Sequence, residues 1–118
     1  MRRGCSSALA NDRAMIRKAF RMRVLEGQHL EYERRHSPIW RELADLLKAH
    51  GAHRYSIFLD EGDGSLFGYV EIEDEARWDA IATTDVCRRW WTHMSDIMPV
   101  NADDSPRNVA LREVFHLD

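Results

Sequence analysis

The stretch RYSIFLDEGDGSLFGYVEIE, Arg54 to Glu73, decides the fold. Arg54 to Asp60 alternates, with Tyr55, Ile57 and Leu59 on one parity. Leu66 to Glu73 alternates in the same way, with Val70 and Ile72 on one parity. Between them, Glu61, Gly62, Asp63 and Gly64 are residues that tolerate positive φ, as a hairpin turn requires. Strands joined this closely pair antiparallel. Both strands also carry apolar residues on the opposite parity, namely Phe58, Phe67 and Tyr69. A sheet that is apolar on both faces asks for cover on both. A second copy packing sheet on sheet would supply the second cover.

The flanking sequence completes the plan. Ile16 to Val24 sets Ile16, Phe20, Met22 and Val24 against Arg17, Arg21 and Arg23, which predicts a strand with one buried face. Lys18 interrupts its apolar row. Gln28 to His50 reads as helix, because Ile39, Leu43, Leu46 and Leu47 fall on one stripe. Gly51 stops it. Pro38 removes a backbone donor and disfavours helical geometry at Ser37. Either one kinked helix runs through, or two helices meet near His36, with Ser37 and Pro38 opening the second. Asp74 to Thr83 reads as a short helix carrying Trp78 and Ile81. Thr84 or Asp85 then caps a helix running through Met98, with Val86, Trp90, Met94 and Ile97 as its stripe. Pro99 ends it, Asn101 to Asn108 forms a polar loop, and Val109 to Leu117 is the last strand. The order β-α-β-β-α-β predicts an α+β, ferredoxin-like fold: a four-stranded antiparallel sheet with helices on one face.

Composition agrees with one globular unit. The 118 residues are 44% hydrophobic and 31% charged, and a chain of that length buries roughly two thirds of the surface its unfolded form exposes. No apolar run reaches the length of about 18 residues that a membrane span needs. Seventeen basic and 20 acidic residues give a net charge of −3, which argues against a nucleic-acid partner. Cys5 and Cys87 make neither a disulfide framework nor a metal knuckle, so a reduced, cytoplasmic protein is expected. Residues 1–14 lack periodicity and an apolar core of signal-peptide length, and read as a loosely attached arm. Residues 15–118 then form the single domain, with Met15 as a second candidate start.

Several residues invite a chemical reading. Tyr32 and His36 are four apart and fall on the line of Ile39 and Leu43, the stripe aimed at the sheet. Histidine suits acid–base work near neutral pH; a half-exposed pair at a frayed helix start fits the pattern too. Trp90 and Trp91 point about 100° apart on a helix, so one suits the core and the other an edge, where an indole face can stack on a sugar or another flat ligand. Tyr55 starts its strand on the same inner side. His50 and His53 bracket Gly51 without a third ligand at helpful spacing. Cys87 lies in a first helical turn, where a thiolate is favoured, with no His near it in sequence. The residues alone lead to a small-molecule pocket of Tyr32, His36, Tyr55, Trp90 and Trp91.

Longer stretches carry a resemblance. Met15 to Phe20, Glu31 to His36 with Pro38 to Trp40, and His50 to His53 leading to Tyr55 form the first group. Val70 to Ile72, Arg77-Trp78, Thr84 to Cys87 with Arg89 to Trp91, Met98-Pro99 and Glu113 to Phe115 form the second. With these, the chain from Met15 onward resembles the L-rhamnose mutarotase family. The resemblance implies a dimeric α+β barrel of ferredoxin-like protomers. It further implies interconversion of the α and β anomers of L-rhamnose without a cofactor or metal. His36 would be the proton donor, and Tyr32, Tyr55, Trp90 and Trp91 the sugar-contacting residues. A cofactor-free monooxygenase on the same fold and a sugar-binding module without turnover are the alternatives.

Overall fold

The computed structural model describes residues 14–118. Apart from Ala14, the expected N-terminal arm lies outside them. Four strands, β1 (Ile16–Arg23), β2 (Ala52–Asp60), β3 (Ser65–Ile72) and β4 (Val109–Leu111), form one sheet. Its order is β2-β3-β1-β4, and all three pairings are antiparallel. Four helices, α1 (His29–Arg35), α2 (Arg41–Ala49), α3 (Glu75–Ala80) and α4 (Asp85–Met94), complete the ferredoxin-like α+β plan. No helix among the described residues is long and apolar enough to cross a membrane.

Of the two inner strands, β3 is the more deeply buried. Leu66, Val70 and Ile72 are 0–1% exposed, and β1 sets Met22, Lys18 and Ile16 directly opposite them. Lys18, the interruption in that row, sends its Nζ to the Glu75 carboxylate at 3.0 Å. Gly68 pairs with Phe20, and a Cβ there would run into the Phe20 ring. The Phe20 ring in turn meets Tyr55 edge to face at 6.2 Å. Gly68→Ala is therefore expected to cost about 1–3 kcal/mol by overpacking. Urea unfolding measures it, and a midpoint equal to wild type would mean that Phe20 swings aside freely.

Pro38 splits the long helical segment rather than kinking it. The second helix does not begin at Ser37-Pro38: Trp40 is its N-cap, with φ −54° and ψ 131° and no side-chain cap bond. Ile39 and Trp40 pack against the core instead of entering the helix. Leu43 is the buried centre of the α2 stripe. Gly51, at φ +86°, turns the chain into β2.

Two other expected boundaries move. α4 ends at Met94, not Met98. The Ser95 N–H and hydroxyl both donate back to the Thr92 carbonyl, at 3.2 and 2.8 Å, while the Ile97 carbonyl accepts from the Leu25 N–H at 2.8 Å. Ile97 and Met98 remain in the core on a turn. The last strand stops at Leu111 rather than Leu117. Its ladder covers only Ala19 to Arg21 of β1, and beyond it Val114, Phe115 and Leu117 stand 77–79% exposed.

Candidate active site

The helices and the inner sheet face enclose a cavity of about 860 Å³, within the range of small-molecule sites. Tyr32, His36, Tyr55, Trp90 and Trp91 all line it.

α1 supplies the first wall. Tyr32 lies inside it, 8% exposed, and His36 is its C-cap. His36 Nδ1 is 2.8 Å from the Tyr32 carbonyl oxygen. A carbonyl only accepts, so Nδ1 carries the hydrogen. The neutral ring then presents Nε2 as a lone pair. The imidazole stacks on the Tyr32 phenol at 4.3 Å and 28°, and meets Trp90 edge to face at 5.2 Å. Burial lowers its pKa from the ordinary value, and the bond to the Tyr32 carbonyl offsets only part of that. At neutral pH this is a held, uncharged base.

The sheet supplies the second wall through an irregularity. Between His53 and Ser56 the β2–β3 register shifts by one residue, so Arg54 and Tyr55 together oppose Val70. Arg54 takes φ 49°, a left-handed geometry costing roughly 1–2 kcal/mol for a non-glycine residue. Its guanidinium is tied to Glu71 at 2.7 Å. Ala52 before the bulge and Tyr55 after it thus face the same side, and Tyr55 is aimed into the cavity. Although the residue is 37% exposed, burial of its phenol lifts its pKa to about 12. Tyr32 is pushed still further up, by burial first and then by the Tyr55 phenol. Both phenols stay protonated donors. Among the described residues Tyr69 has a side-chain partner for its hydroxyl, Glu71 at 2.9 Å; the Tyr32 and Tyr55 hydroxyls have none.

α4 supplies the third wall. The Thr84 side chain caps it by accepting from the Cys87 N–H. Trp90 is 8% exposed and Trp91 partly buried, the core-and-edge division that adjacent helical positions dictate. Trp40 braces Trp90 edge to face at 5.1 Å. Cys87 also lines the cavity, but burial raises its thiol to about 11, which removes the thiolate its helix position suggested. His50 and His53 are both engaged: His50 Nδ1 with the Leu46 carbonyl at 3.1 Å, His53 Nε2 with Glu73 at 2.6 Å. Among the described residues no group of three His, Cys, Asp or Glu side chains is gathered as a metal site.

Sequence reading missed Trp78, which packs on Tyr55 at 6.0 Å, and His29 and Glu33, all of them cavity residues. A signal existed for the last two. His29, Tyr32, Glu33 and His36 follow the i, i+3, i+4, i+7 spacing of one helix face.

Comparison with known proteins identifies the family of the chain. The family model described as L-rhamnose mutarotase matches residues 17–117. The L-rhamnose mutarotase of Pectobacterium atrosepticum is 64% identical over 104 residues, 88% of this chain and all of that protein. That of Opitutus terrae is 67% identical over the same shares. The crystal structure of an L-rhamnose mutarotase from Formosa agariphila superposes with a TM-score of 0.81 at 39% identity, covering 87% of this chain and 99% of that one. An antibiotic biosynthesis monooxygenase superposes with a TM-score of 0.55 at 18% identity, covering 84% and 99%; that likeness is one of fold alone. The chain belongs to the L-rhamnose mutarotase family.

Proposed function

We propose that this chain is an isomerase that interconverts the α and β anomers of L-rhamnose, with His36 Nε2 as the atom that exchanges a proton with the sugar. The observation that carries the reading is an uncharged imidazole, fixed by its Nδ1–H on the Tyr32 carbonyl, at a cavity lined by two phenols and three indoles, in a chain of this family.

Ring opening breaks the bond between C1 and the ring oxygen. The anomeric hydroxyl loses its proton and the ring oxygen gains one. In this reading neutral His36 takes the anomeric proton, and a phenol of the pocket, Tyr55 or Tyr32, donates to the ring oxygen. C1 becomes an aldehyde and rotates. On closure the ring oxygen attacks the other face, the phenol regains its proton, and the imidazolium returns its own to the former carbonyl oxygen. His36 is thus an acceptor while the ring opens and a donor while it closes, which refines the donor role the resemblance implies. Atoms and charge balance without an added reactant. Trp90 and Trp91 offer faces to the C–H side of the sugar, a grip that leaves C1 free to turn.

Saturation-transfer NMR on equilibrated L-rhamnose tests the activity: irradiating one anomeric proton attenuates the other when the protein is present. Ligand broadening without transfer would mean a sugar-binding module. Neither effect would overturn the substrate.

The same reading includes a homodimer. By register, Phe58, Phe67, Val109 and Leu111 lie on the sheet face turned away from the helices, and all are exposed, Phe58 to 66%. Apolar surface gathered on one face favours association through it. Light scattering is expected to give twice the chain mass for wild type and a shift toward the single chain for Phe58→Asp. A wild-type monomer at micromolar concentration would end the proposal.

A further inference from the structure

The side chain next to the proposed base makes more polar contacts than any other near the cavity. Arg35 follows Glu31 by one turn of α1 and immediately precedes His36. Its side chain is only 13% exposed. Nε donates to Glu31 Oε2 at 2.7 Å. Nη1 donates to the His93 carbonyl at 2.7 Å and to Asp96 Oδ1 at 2.8 Å, and Nη2 to Asp96 Oδ2 at 3.3 Å. The first of these contacts lies within α1, while the others cross to the end of α4. The His93 carbonyl belongs to the last turn of α4, where helix geometry leaves it without an intrahelical partner, and a cation is favoured there by the helix dipole. Asp96 lies on the turn just beyond. Glu31 and Asp96 are both held below the ordinary carboxylate range, Glu31 at about 2 by Arg34 and then Arg35, Asp96 by Arg35.

The two helix ends joined in this way carry the two halves of the site. α1 holds Tyr32 and His36, and α4 holds Trp90 and Trp91. The one ring contact between the His36 imidazole and α4 is with Trp90, at 5.2 Å and 87°. Such an edge-to-face pair contributes little by itself and does not fix an angle between helices. A planar fork bonded at both helix ends does.

We infer that Arg35 is a positioning residue: its guanidinium locks the end of α1 onto the end of α4 and so sets where His36 Nε2 stands relative to the tryptophan wall. It touches no substrate and acts through His36. The inference rests on the proposed role of His36. A reacting group displaced by about 1 Å loses up to 10²-fold in rate, so the expected signature is in kcat.

The test compares Arg35→Ala, Arg35→Lys and Asp96→Asn in anomer exchange and in substrate-free histidine ring NMR. Circular dichroism confirms which variants are folded. Arg35→Ala is expected to lower kcat about 10-fold or more, with KM within about threefold. Arg35→Lys keeps the charge but not the fork and recovers part of the loss. Asp96→Asn weakens the α4 contact alone, gives a smaller kcat loss, and serves if Arg35→Ala does not fold. In the ring spectra, the His36 ring shifts set by the edge contact with Trp90 move as the clamp is loosened, while the Nδ1-protonated tautomer held within α1 is retained. Adding Arg35→Ala to His36→Ala costs no further activity, because a residue acting through an absent imidazole has nothing left to position.

Unchanged kcat and ring spectra in folded Arg35→Ala and Asp96→Asn would overturn the clamp. So would a loss expressed in KM alone, or an equal further loss on top of His36→Ala. The ring spectra need no substrate, so the clamp stands or falls even if wild type fails to exchange L-rhamnose anomers. That failure would instead overturn the function on which the kcat signature depends.

Discussion

Replacing His36 with alanine is expected to bring anomer exchange down about 10²- to 10⁴-fold, close to the spontaneous rate in water. The site has one imidazole whose ring is fixed on three counts: Nδ1 on the Tyr32 carbonyl, one stack on Tyr32, one edge contact with Trp90. His29 also lines the cavity, without such ring contacts among the described residues. Both tyrosines are pushed up by burial, Tyr55 to about 12, and Cys87 to about 11, so none supplies an anionic base there. The fold survives the substitution, because His36 caps α1 outside the buried clusters. The pH profile carries a second signature. Burial stabilises the neutral ring, so His36 protonates only below its ordinary value of about 6.5. Activity that needs the free Nε2 is full at neutral pH and falls with an acid midpoint below that value. His36→Ala abolishes this limb as well as the rate. Wild-type exchange in the variant would remove His36 from the mechanism. An acid midpoint above 6.5 would show that the protonated ring is the one favoured.

Trp91→Ala is expected to raise KM about 10-fold or more while leaving the acid limb where it is. An indole face lost from a sugar site removes apolar contact area with little effect on the proton-transfer groups, and a tenfold loss corresponds to about 1.4 kcal/mol. Trp91 is the cleaner probe because it is only partly buried. Trp90 contacts His36, Trp40 and His93 and sits in the core cluster. Its truncation to alanine therefore costs about 3–5 kcal/mol of stability in addition to any effect on binding. Thermal unfolding separates the two: Trp90→Ala melts markedly lower, Trp91→Ala close to wild type. A near-normal KM in Trp91→Ala would eliminate stacking as the source of sugar affinity.

The legible part of this protein is periodic. Alternation in β1, β2 and β3 and the stripes of α2 and α4 named the elements and their inner faces, because burial of one face is decided by spacing along the chain. The five cavity residues were legible partly from spacing and partly from resemblance. Their meeting in one cavity needed the sheet order β2-β3-β1-β4. What was misread lies at element ends. Ser37-Pro38 has the residues of a helix start, yet α2 waits until Arg41 while Ile39 and Trp40 pack inward. The apolar stripe of α4 continues to Ile97, yet the helix stops at Met94, where the Ser95 N–H turns back to the Thr92 carbonyl. The alternation after Val109 continues past Leu111, where the ladder with β1 has ended.

Two features were beyond any reading by period. The bulge at Arg54 and Tyr55 has no signature in the run RYSIFLD, since strict alternation already puts Tyr55 with Ile57; that Ala52 shares their side follows only from the pairing with β3. The Arg35 clamp joins residues about 60 positions apart, and nothing in Glu31-Tyr-Glu-Arg-Arg-His36 tells which arginine will cross to α4. Arg34 spends its fork on Glu31, whereas Arg35 reaches Asp96. The sequence by itself determined the elements, their inner faces and the family, because these depend on local spacing and residue identity. The tertiary structure alone decided the tautomer and environment of His36, the aim of Tyr55 and the partner of Arg35. Hydrogen bonds, desolvation and register are set by groups that the fold brings together from distant parts of the chain.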